Sequence, residues 1–277
     1  MFEVVWPARL SLQKFGFGFL TGVHWDPRAE VFGSAPFIFG TLVTSLIALV
    51  LAFPVGLGIA IFLARDGLSW FREPLGAAIE LLAAVPSVVF GIWALFALEP
   101  VMRDNIEPAL AHLQLLPIFG GTPSGAGILT AGIVLAIMVI PTISSISRDV
   151  LRAVPKDLRE GSLALGATEP ETTLRVILPA ARVGISGAVI LALGRELGET
   201  IAVTLVIGNR PAITAHLFEP GYTRASVIAN EFTEAVGALY TSSLIEIAAV
   251  LLLLSTLVNV VARMLLLRGT RNLGRSR

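Results

Sequence analysis

The hydrophobic pattern of this chain is a series of long apolar runs, without the short alternations of a soluble fold. A helix that crosses a bilayer needs about 20 mostly apolar residues, and five stretches reach that length. Residues 37–64 carry no charge, and 75–98 carry only Glu80. Residues 125–147 carry none, and 183–207 carry Arg195, Glu196 and Glu199. The last, 240–267, carries Glu246 and Arg263. Pro54, Pro86 and Pro141 lie inside or near the ends of these runs, where neighbouring helices can satisfy the freed carbonyls. The pattern predicts an all-α integral membrane protein with five full spans. Its membrane domain covers 37–267, after an external segment at 1–36 and before a basic tail at 268–277.

Composition agrees with that reading. Only 14% of the 277 residues are charged, against about 25% in a soluble domain. The absence of cysteine excludes a disulfide framework, thiolate metal sites and a cysteine nucleophile. His24, His112 and His216 are far apart and read as polar loop residues. The first residues include acidic Glu3 and no clean apolar core, unlike a cleavable signal peptide. There is no phosphate-binding G-x-x-x-x-G-K-[ST] loop and no serine–histidine–aspartate grouping, so a transport subunit is expected, not an enzyme.

Lysine and arginine bias sets orientation. The loops after the first, third and fifth runs, with Arg263, hold thirteen of the twenty cations, and the opposite side holds six. The bias places the loop 148–182 and the C-terminus in the cytoplasm. It also places the N-terminus outside with no span ahead of it, so a further upstream helix is expected.

A polar interruption, residues 155–171, separates the third and fourth runs. Pro155 suits a first helical turn, and Gly166 suits a left-handed stop. Thr168 with Glu171 fits a capping box, with Pro170 in the first turn of the next helix. Leu158, Ser162 and Leu165 share one face of the first helix, with Arg159 and Glu160 turned away. An apolar knob with a charged rim suits a groove on another protein. A helix resting on lipid headgroups would carry larger apolar residues and more cations.

Arg195 lies near the middle of the fourth run, where a charge costs about 2.5–3.5 kcal/mol on insertion scales. Glu199 is one helical turn on and is expected on the same face. Two compatible readings follow. The pair fixes helix packing, or it lines a pathway in which the guanidinium fork takes an oxyanion and the carboxylate keeps binding weak. Glu196 points roughly 100° away from Arg195. Ser87, Thr204, Thr44 and Ser45 are candidate hydroxyl donors, although hydroxyls bond back to their own helix as often. Glu246 is a candidate partner for Arg195 or Arg224.

The run from Glu160 to Pro179 resembles the cytoplasmic loop of importer permeases in the ATP-binding cassette superfamily. It matches at Glu160, Gly166, Leu178 and Pro179. It departs at Gly161 and Ser162, where alanines are usual, and at Val176, where isoleucine is. Glu80 to Gly91, Met138 to Ile143, Ala164 to Thr168 and Gly194 to Val203 resemble the phosphate-importer permeases. Ala202-Val203 followed by Ile207-Gly208-Asn209 resembles their C-type rather than A-type subunit. Glu196 stands where that family often has alanine. The resemblance covers roughly Gly22 to Arg263.

The resemblance implies a type I importer fold, with six helices in the family against five counted here. It implies that Glu160, Gly161, Ser162, Leu165, Gly166, Leu178 and Pro179 couple to an ATPase. It implies that Arg195 and Glu199 belong to a substrate pathway; Glu196, Thr204 and Ser87 are further candidates for that path on their own chemistry. The expected partners are an A-type permease in a heterodimer, an ATP-binding subunit dimer that holds ATP and magnesium, and an extracytoplasmic phosphate-binding protein. No cofactor is expected in this chain, and no nucleic acid. The expected location is a bacterial or archaeal plasma membrane, and the expected function is phosphate import by alternating access. The rival readings are a permease for sulfate or molybdate, and a secondary transporter without an ATPase.

Overall fold

The apolar runs form helices, but two of the five are interrupted. The computed structural model describes residues 6–65, 69–112 and 118–273. Residues 1–5 of the expected external segment, 66–68, 113–117 between the second and third apolar runs, and 274–277 of the expected tail lie outside them. In chain order the helices are α1 (Arg9–Phe15), α2 (Gly18–Thr21), α3 (Ala35–Ala64), α4 (Ser69–Ala84) and α5 (87–112). They continue with α6 (Ile128–Arg152), α7 (Lys156–Ala164), α8 (Glu169–Glu196), α9 (Ile201–Val206), α10 (Arg224–Glu231) and α11 (Ala238–Leu273). Among the described residues α3, α6, α8 and α11 are long and apolar enough to cross a membrane, and α4 with α5 makes a fifth crossing if both arms count as one span.

The expected second span, 75–98, breaks at Val85–Pro86. Pro86 is extended (φ −61°, ψ 142°) and stands immediately before α5. A proline both lacks the amide that a helix needs and pushes the preceding residue out of the helical region. Beyond the break, α5 continues to His112, past the end of the expected span at 98. The fourth span is displaced as well. Its helix starts at Glu169 and stops at Glu196, where 183–207 was expected. The Gly198 amide bonds Arg195 O (3.3 Å) and the Glu199 amide bonds Glu196 O (3.0 Å), closing the helix by a tight turn. Gly194 and Gly198 weaken the helix here, and the polar run from Arg195 to Thr200 supplies groups that leave it.

Three π turns widen the helices, at Ala94–Leu98, Met102–Ile106 and Thr173–Ile177. Each is centred four residues before a proline: Phe96 before Pro100, Asp104 before Pro108, Arg175 before Pro179. A proline ring clashes with the carbonyl four residues back. An i→i+5 turn moves that carbonyl aside without ending the helix.

The chain divides into two compact units. One takes residues 6–48, 86–136 and 195–256. Its core includes Phe19, Phe32, Phe37, Tyr222, Val227, Leu244 and Ile247. Trp25 meets Phe32 and Phe37 edge-on at 4.9 Å each. Glu231 accepts hydrogen bonds from Trp25 Nε1 (2.8 Å) and the Tyr240 hydroxyl (2.6 Å). These contacts fasten the segment before α3 to α10 and α11. The first four residues of α10 are buried. In the same unit α5 and α9 touch closely. A Cβ on Gly91 would stand 2.7 Å from Leu205 Cδ1 and 2.9 Å from Ala202 Cα. Gly91→Val is expected to destabilise the protein by about 1–3 kcal/mol, read as a lower melting temperature in detergent. Gly58→Ala, where nothing lies within 4 Å, is the control and should not lower it.

The other unit takes residues 49–85, 137–194 and 257–273. Ala60, Leu151, Ala181 and Ile185 form its buried cluster. Arg152 Nη2 donates to Leu63 O at 2.9 Å, satisfying a carbonyl at the end of α3. Of the long helices α6 is the enclosed one: 72% of its most apolar stretch is buried, against 17–28% for α3, α8 and α11. Those three present most of their apolar surface outward.

Candidate functional site

The polar interruption folds as a capped helix, a tight turn and a second helix. Pro155 is the N-cap residue of α7 (φ −55°, ψ 132°), so the helix begins one residue later than a proline in the first turn would give. Gly166 takes φ +89°. Its amide donates to Leu163 O (2.9 Å) and the Ala167 amide to Ser162 O (3.2 Å), the paired bonds of a Schellman stop. Thr168 closes the capping box with Glu171: its amide and its hydroxyl both reach Glu171 Oε2, at 2.9 and 2.8 Å.

Two side chains differ from expectation. Ser162 faces α8, with its hydroxyl 2.9 Å from Thr172 Oγ1, and so leaves the proposed docking face. Arg159 turns inward and bonds both Glu169 oxygens at 3.1 and 3.0 Å, bracing the turn. What projects is Leu165, 91% exposed, with Leu158 at 46%. Glu160 and Gly161 are exposed beside them, and a Cβ on Gly161 would meet nothing within 4 Å. Leu178 and Pro179 follow on α8 just past its π turn. Leu178 is half-buried and Pro179 exposed.

The structure separates the span charges that the sequence analysis groups together. Arg195 ends α8, is exposed, and makes no ion pair among the described residues. Glu199 lies beyond the helix end, half-buried, and its Oε1 accepts the Ala202 amide of α9 at 3.4 Å. The one-turn spacing that would pair them requires a continuous helix, and the break at 197–200 removes it. Thr204 bonds back to Thr200 O (2.7 Å) and Thr44 to Gly40 O (2.8 Å). Ser45 is buried, and its hydroxyl has no partner among the described residues. Ser87 begins α5 half-buried.

Glu196 is only 3% exposed, and neither carboxylate oxygen has a partner among the described residues. Burying such a group unpaired is costly. Glu196→Gln, which keeps the shape and removes the ionisable group, is therefore expected to leave the melting temperature unchanged or higher. A fall of several degrees would mean that the carboxylate holds a contact of its own.

The burial of a second polar group, Arg224, escaped the sequence analysis. Arg224 is fully buried. Its amide and Nε donate to Thr41 Oγ1 (3.1 and 3.5 Å), and Nη1 donates to Val250 O (3.4 Å). Burial pushes its guanidinium down to about 10, so it stays charged at neutral pH. Glu246 is 4% exposed, and its Oε2 has no partner among the described residues. No ion pair among the described residues joins Glu246 to Arg195 or Arg224. Nothing local in the sequence separates Arg224 from an ordinary loop cation. Its burial depends on α10 entering the core.

Comparison with known proteins places this geometry. The model of the family described as "Binding-protein-dependent transport system inner membrane component" matches residues 56–268. The phosphate transport system permease protein PstC of Mesorhizobium japonicum is 46% identical over 273 residues, covering 97% of this chain and 83% of that protein. PstC of Xylella fastidiosa is also 46% identical, covering 98% of this chain and 85% of that protein. Among solved structures, a chain of the MetNI methionine ABC transporter in an inward-facing conformation superposes with a TM-score of 0.63 at 18% identity. That match covers 84% of this chain and 94% of the other. The fold is that of the membrane subunits of type I ABC importers.

Proposed function

Because the chain belongs to the family of binding-protein-dependent transport system inner membrane components, we propose that it is the C-type permease subunit of an ATP-driven phosphate importer. The similarity to phosphate permeases over nearly the whole chain carries the choice of substrate. Leu165 and Leu158, projecting from a helix with no buried residue, favour an external source of drive.

In this reading a separate ATPase dimer holds ATP and magnesium and receives α7 in a cleft. The Arg159–Glu169 bridge and the Ser162–Thr172 contact make α7 and the start of α8 move as one piece. α8 then carries the displacement along its 28 residues, about 42 Å at 1.5 Å per residue, to Arg195. There Arg195 supplies a planar pair of donors to a phosphate oxyanion. Glu199, Thr204 and Ser87 complete the path. An A-type permease covers the outward flanks of the spans, and an extracytoplasmic phosphate-binding protein delivers the cargo. No covalent chemistry occurs in this chain.

The test is uptake of labelled phosphate into vesicles holding the assembled importer. Uptake should require ATP on the side of α7 and resist competition by sulfate and molybdate. Uptake that persists on an ion gradient without ATP would sink this reading. The chain has no cysteine, so Leu165→Cys gives a single label site. An impermeant maleimide should reach it only from the cytoplasmic face.

A further inference from the structure

We infer that a basic pocket at the root of α7 binds a phosphate group, and that its occupant is the headgroup of an anionic phospholipid. The pocket holds about 260 Å³ and lies wholly within the second unit. Five cations line it, Arg65, Arg72, Arg152, Lys156 and Arg159, and no carboxylate does among the described residues. Two of the five also serve the fold: Arg152 satisfies Leu63 O, and Arg72 Nη1 satisfies Arg65 O. Arg159 is bridged to Glu169. The side chains of Arg65 and Lys156 have no partner among the described residues.

Like charges brought together at one concavity repel unless an anion sits among them. A phosphate accepts several such donors at once. The start of α7 adds to the field. Pro155 offers no side-chain acceptor to its leading amides, so the positive end of the helix dipole stays uncapped at the pocket rim.

The rest of the lining decides between sources. Ile61, Leu151, Val154 and Ile177 form an apolar wall beside the cations. A hydrated inorganic phosphate gains nothing from such a wall, whereas a phospholipid places its first methylenes there and its phosphate among the arginines. Basic pockets between spans on the cytoplasmic side take anionic headgroups in this way. The cytoplasmic side assumed here rests on the proposed orientation of the loop, and the maleimide labelling above tests that separately. The binding assay below does not depend on sidedness.

The test uses the assembled importer in detergent, titrated with phosphatidylglycerol, with phosphatidylcholine, or with inorganic phosphate, while its melting temperature is read. Phosphatidylglycerol should raise it by several degrees, and phosphatidylcholine should not. The double variant Arg65→Gln/Lys156→Gln spares the two helix-capping arginines. It should weaken the phosphatidylglycerol response at least tenfold, and Arg65→Lys/Lys156→Arg should restore it. A response to inorganic phosphate with none to phosphatidylglycerol would keep the phosphate site and overturn the lipid assignment. Equal responses to the two lipids with none to inorganic phosphate would overturn the site altogether, as expected if acidic side chains of a partner protein neutralise the cluster. So would a phosphatidylglycerol response that the double variant leaves intact.

Discussion

Vesicles carrying Arg195→Gln are expected to lose ATP-driven phosphate uptake, with the importer still assembled and still bound to its ATPase. A charge-assisted hydrogen bond is worth about 1.5–3 kcal/mol, so the loss should be roughly tenfold to more than a hundredfold. The geometry separates this outcome from simple unfolding. Arg195 is exposed at the end of α8 and makes no ion pair within the described chain. Its side chain therefore holds no ion pair of this subunit in place. Loss of assembly along with uptake would point instead to a packing role, against the partner permease. Retained uptake would remove Arg195 from the pathway. Glu196→Gln is the companion measurement. It lies one residue away but is buried, and should transport at close to the unsubstituted rate.

The second large effect is expected at the other end of α8. Leu165→Asp should abolish copurification of the ATPase, and with it uptake, while leaving the permease as stable as before. Leu165 is 91% exposed, and substitutions at such positions usually change stability by less than about 0.5 kcal/mol. A charge on the tip of an apolar knob has no such tolerance, because docking would have to strip its water. The measurement is a pull-down with tagged ATPase, alongside a melting curve of the permease. Full ATPase recovery would place the contact elsewhere on the loop. Ser162→Ala is the contrast. Its hydroxyl faces Thr172, so it should affect the brace more than the docking surface.

The features legible in the sequence are those set by neighbours along the chain. The Gly166 stop and the Thr168–Glu171 box depend on spacings of one to three residues, and both form as read. The existence of the apolar helices was equally plain. Their interruptions were not. Pro54 and Pro141 sit inside regular helix, whereas Pro86 stands at a break, and the residue type alone does not separate the two outcomes. The end of α8 at Glu196 escaped because an apolar window cannot register a turn made by Gly198 and Thr200. That miss also produced the expected Arg195–Glu199 pairing. Arg224 and the cationic pocket depend on contacts across the chain: Arg65 and Arg72 come from the end of α3 and the start of α4, Arg152 to Arg159 from about 80 positions later. The positive-inside count weighed these charges one by one and had no means of showing that they converge.

The π turn at Thr173–Ile177 has a consequence for the length of the lever. A π turn holds one residue more than the α turn it replaces, so it acts as a single-residue insertion that rotates everything beyond it by about 100°. Pro179 holds that insertion in place. A variant that deletes one residue between Thr173 and Ile177 and replaces Pro179 with alanine should regain an unbroken α-helix with the phase of both ends preserved. In the proposed docking, either change alone would turn the wrong side of α7 toward the ATPase. The two changes are therefore compensatory, and the pair should work where each single change fails.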